Sequence, residues 1–555
     1  MALVTGGELV VRTLRAAGVE TLFGLHGAHV DGIFQACLDQ GMPILDTRHE
    51  VAAGHAAEGY ARAANRLGVA LVTAGPGFTN IVTSLANAFL DRTPVLYVSG
   101  AAGLAQAETN TLQAGIDQVA LARPVTKWAH RITVTADIPR LVAQAIRIAT
   151  SGPKGPVLLD IPSDIIGARI EEEGVWMPSP LLLDARPAPH AAEIERALDM
   201  IGAAARPVIM LGDGLDPSAA DAVRRLAEAT GAPVYSDFAA HGVLPADHPL
   251  HGGTWHKMAD LAEEGGRPDL ILALGVRFGL FTVGTTGLVV PHDARLIHVE
   301  IDPREIGRIR AVDLPIVADP ASAAEALAEA AAMRGRPDRS AWQARVAGAK
   351  AARRRALEPD LARAAPPIHP IQAVDAIVSA ITPDTIVVGD GAEAYHWLNE
   401  TIRQTRPSSY LTHGHLGAVG FGIGLALGAQ AAHRDRPVLC LDGDGAVGFT
   451  IAEFDTMARN DLPIVVVVMN NHSWAASQHF QELAVGPNRV TGTRLGGARY
   501  HDVAAGFGCH AAHVREIEAL APAIRDAFAS GRPACINVEI DLGPIPPELH
   551  LLMKR

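Results

Sequence analysis

Three doubly wound α/β domains, each built on a parallel sheet, are predicted by three features of the sequence. Short β-branched or aliphatic runs alternate with Ala- and Leu-rich stretches from one end to the other. The length of 555 residues suggests three or four units at ~150 residues each, and three if each is a large α/β module. Pro-rich stretches at Met177–Pro189 and Arg363–Pro370 break the chain into thirds. The expected domains are therefore 1–180, 190–335 and 366–555.

In the first third the strand candidates are Thr21–Gly24, Val69–Thr73, Val95–Ser99 and Val157–Ile161, with helical stretches at Glu50–Asn65 and Asn80–Phe89. The middle third opens on a helix around Ala192–Ala205. Its strands are expected at Val208–Leu211, Pro233–Ser236, Leu270–Leu274 and Leu296–Ile301. The last third offers Ile386–Val388, Pro437–Leu441, Ile464–Met469 and Cys535–Glu539. No solenoid-period repeat is visible. The outer thirds share a rhythm, but the residues alone do not make them duplicates.

Composition narrows the partners. Formal charge is 47 − 60 = −13, so no bulk cationic face serves nucleic acid or anionic lipid. An anionic ligand would need a local positive device, a metal ion or a helix N-terminus. The four cysteines (Cys37, Cys440, Cys509, Cys535) form no CxxC pair and read as reduced thiols. No signal-peptide pattern and no apolar run of ~18 residues is seen, which makes a cytoplasmic location the expectation.

The strongest motif lies in the last third. One strand runs into Asp442-Gly443-Asp444-Gly445-Ala446 and then a helix; the next ends in Asn470-Asn471-His472-Ser473. Asp444 and Asn471 thus stand at the carboxyl edge of one sheet, where open α/β folds bind ligands. A carboxylate, an amide oxygen and a backbone carbonyl suit Mg²⁺, which completes its shell with water and phosphate. Gly443 and Gly445 let backbone approach a diphosphate. A GDG triplet alone is weak, since many strand-to-helix turns carry one. With an Asn after the following strand, the combination resembles the metal–diphosphate signature of thiamine-diphosphate enzymes.

In the first third, Asp46-Thr47-Arg48-His49-Glu50 places Glu50 at the start of an Ala-rich helix, where a carboxylate is ordinarily a dipole partner. In the thiamine-diphosphate family a glutamate in this setting hydrogen-bonds the aminopyrimidine ring and starts the relay that removes the thiazolium C2 proton. The resemblance implies a pyrimidine-binding first domain, a central spacer and a diphosphate- and Mg²⁺-binding third domain. It also implies a cofactor shared between subunits. A homo-oligomer follows, with a dimer as the minimum and a tetramer as the expected assembly.

Over its full length the chain resembles the benzaldehyde lyases, on Phe23–His29 (FGLHGAH), Ile33–Asp39, DTRHE, GHAAEGYARA, Glu108–Ala120, TKWAHR, Leu483–Leu495 and RPACINV. That likeness implies a lyase and carboligase acting on small aldehydes and 2-hydroxy ketones. His29 would exchange the hydroxyl proton as a neutral imidazole, and Gln113 would bond a substrate oxygen. Gly391, Ala392 and His413 would line the diphosphate and substrate side, and Ser473 would offer its backbone carbonyl to Mg²⁺. Gly417 would offer its carbonyl to the cofactor's amino group, and Val419 would support the bent cofactor. His26, Ala28, Ser163, His415 and Ala476 would shape the substrate pocket, while Trp474 and Phe480 read as pocket or core aromatics, with core favoured.

Several positions depart from that family: Ser163 for tryptophan, Val419 for methionine, His415 for tyrosine, and Glu393 and His396 where apolar residues are usual. The added polarity would favour small, hydrated aldehydes. The alternative is a 2-oxoacid decarboxylase or an acetolactate-synthase-like enzyme. No His-His pair of the pyruvate decarboxylases is present, while Gln113 does not exclude the synthases. In the middle third, Leu211-Gly212-Asp213-Gly214 and Gly275 resemble loops that hold FAD or nucleotides in some relatives, a weak signal in the absence of a full GxGxxG.

Overall fold

A computed structural model of the chain describes residues 2–106, 108–183, 186–262, 266–282, 286–364 and 366–553. Each third folds around a six-stranded parallel sheet covered by helices. In the first, β1 (Leu22–Gly24), β2 (Ile44–Asp46), β3 (Gly68–Val72), β4 (Val95–Ala101), β5 (Trp128–Arg131) and β6 (Val157–Pro162) lie in the order β2-β1-β3-β4-β6-β5. In the second, β7 (Pro207–Leu211), β8 (Val234–Ser236), β9 (His251–Thr254), β10 (Leu270–Leu274), β11 (Arg295–Glu300) and β12 (Leu314–Val317) take the order β9-β8-β7-β10-β11-β12. In the third, β13 (Ile386–Gly389), β14 (Tyr410–Thr412), β15 (Val438–Gly443), β16 (Val465–Asn470), β17 (His510–Val514) and β18 (Ala534–Glu539) take the order β14-β13-β15-β16-β18-β17. A short antiparallel pair, Leu3–Thr5 with Arg169–Glu171, ties the N-terminus to its domain.

The outer sheets therefore share one strand order, while the central sheet has the order common in nucleotide-binding folds. The central strands of all three are buried on both faces, which is why continuous runs such as Val465-Val466-Val467-Val468 mark them.

The helices used below are α1 (Glu50–Ala64), α2 (Pro76–Leu90), α3 (Ser340–Leu361), α4 (Ala392–Thr401), α5 (Gly422–Ala432), α6 (Asp444–Thr450), α7 (Ala475–Val485) and α8 (Pro547–Met553). Helix α1 packs on α5, so the first and third domains share one apolar core. The approach is close: a Cβ on Gly428 would lie 1.9 Å from the Ala56 carbonyl oxygen. Polar ties border this contact, with the Arg48 N–H donating to Glu453 at 3.1 and 3.2 Å and Arg459 reaching Asp46 at 2.7 Å. Helix α3 fills the stretch between the central and third domains, to which the sequence pattern assigns no element. Arg353 on α3 pairs with central Asp260 at 2.9 Å and with Glu400 of α4 at 2.7 Å. Among the described residues, no helix is long and apolar enough to cross a membrane. All four cysteines are buried and free.

Candidate active site at the edges of two sheets

At the carboxyl edge of the third sheet, β13, β15 and β16 end side by side, and three turns converge. Gly391, with φ of +79°, leads from β13 into α4; a Cβ there would lie 2.8 Å from the backbone nitrogen of Gly443. Only glycine meets both demands. Asp390 fixes this turn by accepting the N–H of Gly391 at 2.5 Å and of Gly422 at 2.7 Å.

Asp444 opens α6 and is 3% exposed. Its carboxylate accepts the Gly445 N–H at 3.1 Å and also bonds the backbone of His472 and Ser473, so the β15 and β16 turns are already joined. Asn471 closes its own turn by accepting the Ser473 N–H at 3.1 Å. Oδ2 of Asp444 and both carboxylate oxygens of Asp442 are buried without a protein partner. Burial pushes Asp444 up to about 6 and raises Asp442 strongly, with Asp390 adding repulsion to the latter. Buried orphan carboxylates of this kind call for a cation. Among the described residues there is no cluster of three or more His, Cys, Asp or Glu side chains set to hold a metal. What a cation could meet here is one carboxylate, Asp444, one amide, Asn471, and backbone.

The first sheet carries the other half. Glu50 begins α1 behind the His49 cap, is 8% exposed, and accepts a hydrogen bond from Asn80 of α2 at 2.9 Å. His29 and Gln113 come together: they hydrogen-bond, and Thr73 Oγ1 stands 3.4 Å from His29 Nδ1. Burial lowers the His29 pKa while Gln113 opposes it, leaving a neutral imidazole near pH 7. Gln113 itself has φ of +62° and abuts the Gly75 turn. Buried Gln118 holds that turn by accepting the Gly75 N–H at 2.7 Å, and it donates to Asp160 at 2.7 Å. Asn80, Gln118, Asp390 and Asp442 escaped the sequence reading. Asp442 alone had a visible signal, as the residue before GDG.

Comparison with known proteins decides between readings of these two edges. Residues 4–121 match the N-terminal TPP binding domain of the thiamine pyrophosphate enzymes, 194–327 the central domain and 390–538 the C-terminal TPP binding domain. The acetolactate synthase large subunit of Corynebacterium glutamicum is 33% identical over 551 residues, covering 96% of this chain and 86% of that protein. Acetolactate synthase isozyme 1 large subunit of Escherichia coli is 31% identical over 541 residues, covering 97% and 94%. A probable acetolactate synthase large subunit of Methanocaldococcus jannaschii is 30% identical over 554 residues, covering 97% and 92%.

The chain belongs to the thiamine pyrophosphate enzymes. Its outer domains are thiamine-diphosphate-binding domains, and the relatives named above are synthases, not the benzaldehyde lyases that the sequence reading favoured.

Within this thiamine pyrophosphate enzyme the remaining site expectations divide. His413 is buried, its pKa drawn down to about 4 by burial, and its ring meets the edge of Tyr395 at 4.4 Å. Gly417 is exposed, while Val419, Ala392, Ser163 and Ala476 are half-buried. Ala28 is exposed, and His26 points outward to Asp31 at 3.1 Å with its ring against Phe34. His415 stands between the first and central domains: its backbone N–H donates to Asp91 of the first at 3.0 Å and its ring lies 3.4 Å from Asp213 of the second. Trp474 packs over Gly445 and against Phe449, but Phe480 is 62% exposed and is not core.

Glu393 and His396 do not add polarity to a substrate pocket. Glu393 pairs with His479 at 2.6 Å, and His396 pairs with Glu548 of α8 at 2.7 Å. Both pairs are buried, which removes the sequence argument for small, hydrated aldehydes.

The large cleft of the single chain, about 770 Å³, lies elsewhere, between the first and central domains with the loop after β14. At its edge the Gly212-Asp213-Gly214 turn is already filled by protein. A Cβ on Gly212 would lie 2.2 Å from the Gly275 carbonyl oxygen, and Arg277 clamps Asp213. These glycines serve the contact between two turns, so the residues do not fit a phosphate cradle for FAD or another nucleotide at this point.

Proposed function

We propose that this thiamine pyrophosphate enzyme is a carboligase that forms, and in reverse cleaves, a carbon–carbon bond at a carbonyl carbon. The observation carrying the proposal is the His29–Gln113 contact beside Glu50: a neutral base, a hydrogen-bonding amide and a buried acid on one sheet edge. Bound thiamine diphosphate would supply a carbanion-forming ring carbon that adds to carbonyls.

The chain's own residues would do the rest. Glu50, oriented by Asn80, would hold a proton at the cofactor's pyrimidine ring. His29 would take or return the hydroxyl proton of the bound 2-hydroxy ketone, with Gln113 fixing the same oxygen. Asp444, Asn471 and the Ser473 carbonyl would hold Mg²⁺. The orphan oxygens of Asp442 and Asp444 fit that demand for positive charge. Gly391–Ala392 at the start of α4, with Gly443, Gly445 and Ala446, would face the diphosphate.

Two carboxyl edges in one chain make two half-sites, and we propose that a second copy completes them. Exposed apolar side chains lie on the segments that carry both: Leu112, Ile116 and Leu121 along the chain from Gln113 on the first domain, Phe449 on α6 and Phe480 and Leu483 on α7 of the third.

Two donors are in play. Similarity to acetolactate synthases supports a 2-oxoacid donor, and this reading now has the stronger backing. A 2-hydroxy ketone donor, as in benzaldehyde lyase, rests on neutral His29. Incubating the protein with Mg²⁺, thiamine diphosphate and either pyruvate or benzoin separates them: acetolactate with CO₂ release marks the first, benzaldehyde the second. Failure of every donor, with full retention of cofactor, would sink the carboligase proposal.

A further inference from the structure

The turn after β13 and the turn after β16 stand on opposite sides of Asp444, and each continues into a helix, α4 and α7. Glu393 lies in the first turn of α4, two residues after Gly391. His479 lies in the second turn of α7, six residues after Ser473. Glu393 Oε1 and His479 Nδ1 are 2.6 Å apart, and both side chains are buried, at 7% and 2% exposure. Among the described residues this is the one side-chain hydrogen bond between the two helices. His479 also bonds the Leu542 carbonyl, so the ring bridges α4 to the segment that follows β18. Burial would lower its pKa, but Glu393, with Glu482 and the Leu542 carbonyl, raises it.

The neighbouring contacts leave this bond a specific task. Gly391 is pressed against Gly443, and Ser473 Oγ bonds Gln478 at 2.8 Å, one residue before His479. A shift of α4 relative to α7 would therefore open the gap between the diphosphate-facing turn and the metal-facing turn. Building on the thiamine-diphosphate reading, we propose that Glu393 and His479 form a positioning pair that holds the Gly391–Ala392 turn and the Asn471–Ser473 turn in register for the Mg²⁺–diphosphate group. Neither side chain touches the reacting atoms. Their work is to keep two loops at the spacing one ligand requires.

The test measures cofactor binding rather than turnover. Wild type, Glu393→Gln, Glu393→Leu and His479→Gln are titrated with thiamine diphosphate at fixed Mg²⁺, following tryptophan fluorescence, and melted with and without cofactor. Glu393→Gln retains an acceptor for the His479 Nδ1–H and should bind within about threefold of wild type. Glu393→Leu and His479→Gln should weaken binding about tenfold or more and lose most of the cofactor-induced rise in melting temperature. If both of these variants fold, bind within twofold of wild type and melt lower by the same amount with and without cofactor, the pair is merely structural and the proposal is overturned. Should Glu393→Leu fail to fold, His479→Gln decides the question alone. Wild type that does not bind thiamine diphosphate would instead overturn the reading on which the pair depends.

Discussion

Three Gly-Asp-Gly turns follow strands in this chain; Gly389-Asp390-Gly391 spends its carboxylate on the N–H groups of Gly391 and Gly422, and the other two have opposite fates. In the third domain, Gly443-Asp444-Gly445 leaves one carboxylate oxygen of Asp444 buried and unpartnered beside the equally unpartnered Asp442. In the central domain, Gly212-Asp213-Gly214 gives its carboxylate to Arg277, with His415 3.4 Å away. Burial alone would raise both acids. At Asp213 the guanidinium and the imidazole reverse the effect and hold it well below the usual range. At Asp444 only backbone N–H groups and the more distant His472 oppose it. A triplet is therefore not a site. The side chain placed opposite it decides whether the acid is structural or waits for a ligand.

The sharpest way to break this contrast is to make the same substitution in both turns. Asp444→Ala should lower turnover by about 10³-fold or more, because the proposed Mg²⁺ would lose its carboxylate. The cofactor-free protein should lose less than about 2 kcal/mol, since removing a buried charge with one unpartnered oxygen offsets the loss of an acceptor for the Gly445, His472 and Ser473 N–H groups. Asp213→Ala should do the reverse. It strands Arg277, at a cost of about 3–5 kcal/mol in stability, yet the folded fraction should turn over within about threefold of wild type. Paired melting curves and rate measurements check both, and an inactive but stable Asp213→Ala would erase the distinction.

The next effect lies on the first domain. Glu50→Gln should lower turnover by about 10²–10⁴-fold with the fold intact, as loss of a positioned proton donor does. Asn80→Ala should cost less, because Asn80 acts through Glu50 at 2.9 Å. Steady-state rates at saturating cofactor rank the two. Equal losses would make Asn80 a direct participant.

How much of this was legible follows sheet position. The twelve interior strands of the three sheets were all read from the sequence, within two residues at their ends. The six that escaped, β2, β5, β9, β12, β14 and β17, are the two edges of every sheet. Edge strands lack the continuous apolar run of a strand buried on both faces: β12 alternates buried Leu314 and Ile316 with exposed Pro315 and Val317, and β17 is His-Ala-Ala-His-Val. The same limit applied to the site. Glu50, Asp444 and Asn471 announce themselves by standing where strands meet helices. Asn80, Gln118 and Glu393 do not, because their partners lie 18 to 86 residues away. Glu393 and His396 looked like pocket polarity for the same reason: the sequence shows an unexpected charge, but not the buried His479 and Glu548 that answer it.

A milder contrast sits at the central cleft. Burial, with repulsion from Asp213, pushes Asp237 up to about 8. A carboxyl whose folded pKa lies above its unfolded value contributes stability that is fully present below about 3.8 and lost progressively as pH rises to about 8. Asp237→Asn, which does not ionise, should gain over wild type in melting temperature from about pH 5 to about pH 8, with the difference levelling off above that. A constant difference across the range would mean that Asp237 ionises normally.

The smallest effect should come from His26, which the family resemblance placed in the substrate pocket. Its side chain is 57% exposed and its partner Asp31 is 51% exposed, so the pair is screened by water and contributes little. His26→Ala should change stability by less than about 0.5 kcal/mol and rates by less than about threefold. His29→Ala, three residues along and hydrogen-bonded to Gln113, should cost at least about 10²-fold in turnover. Assaying the two side by side tests whether the turn after β1 sends one histidine into the chemistry and the other into solvent. A large loss in His26→Ala would mean that the second subunit covers this surface and draws His26 into the site.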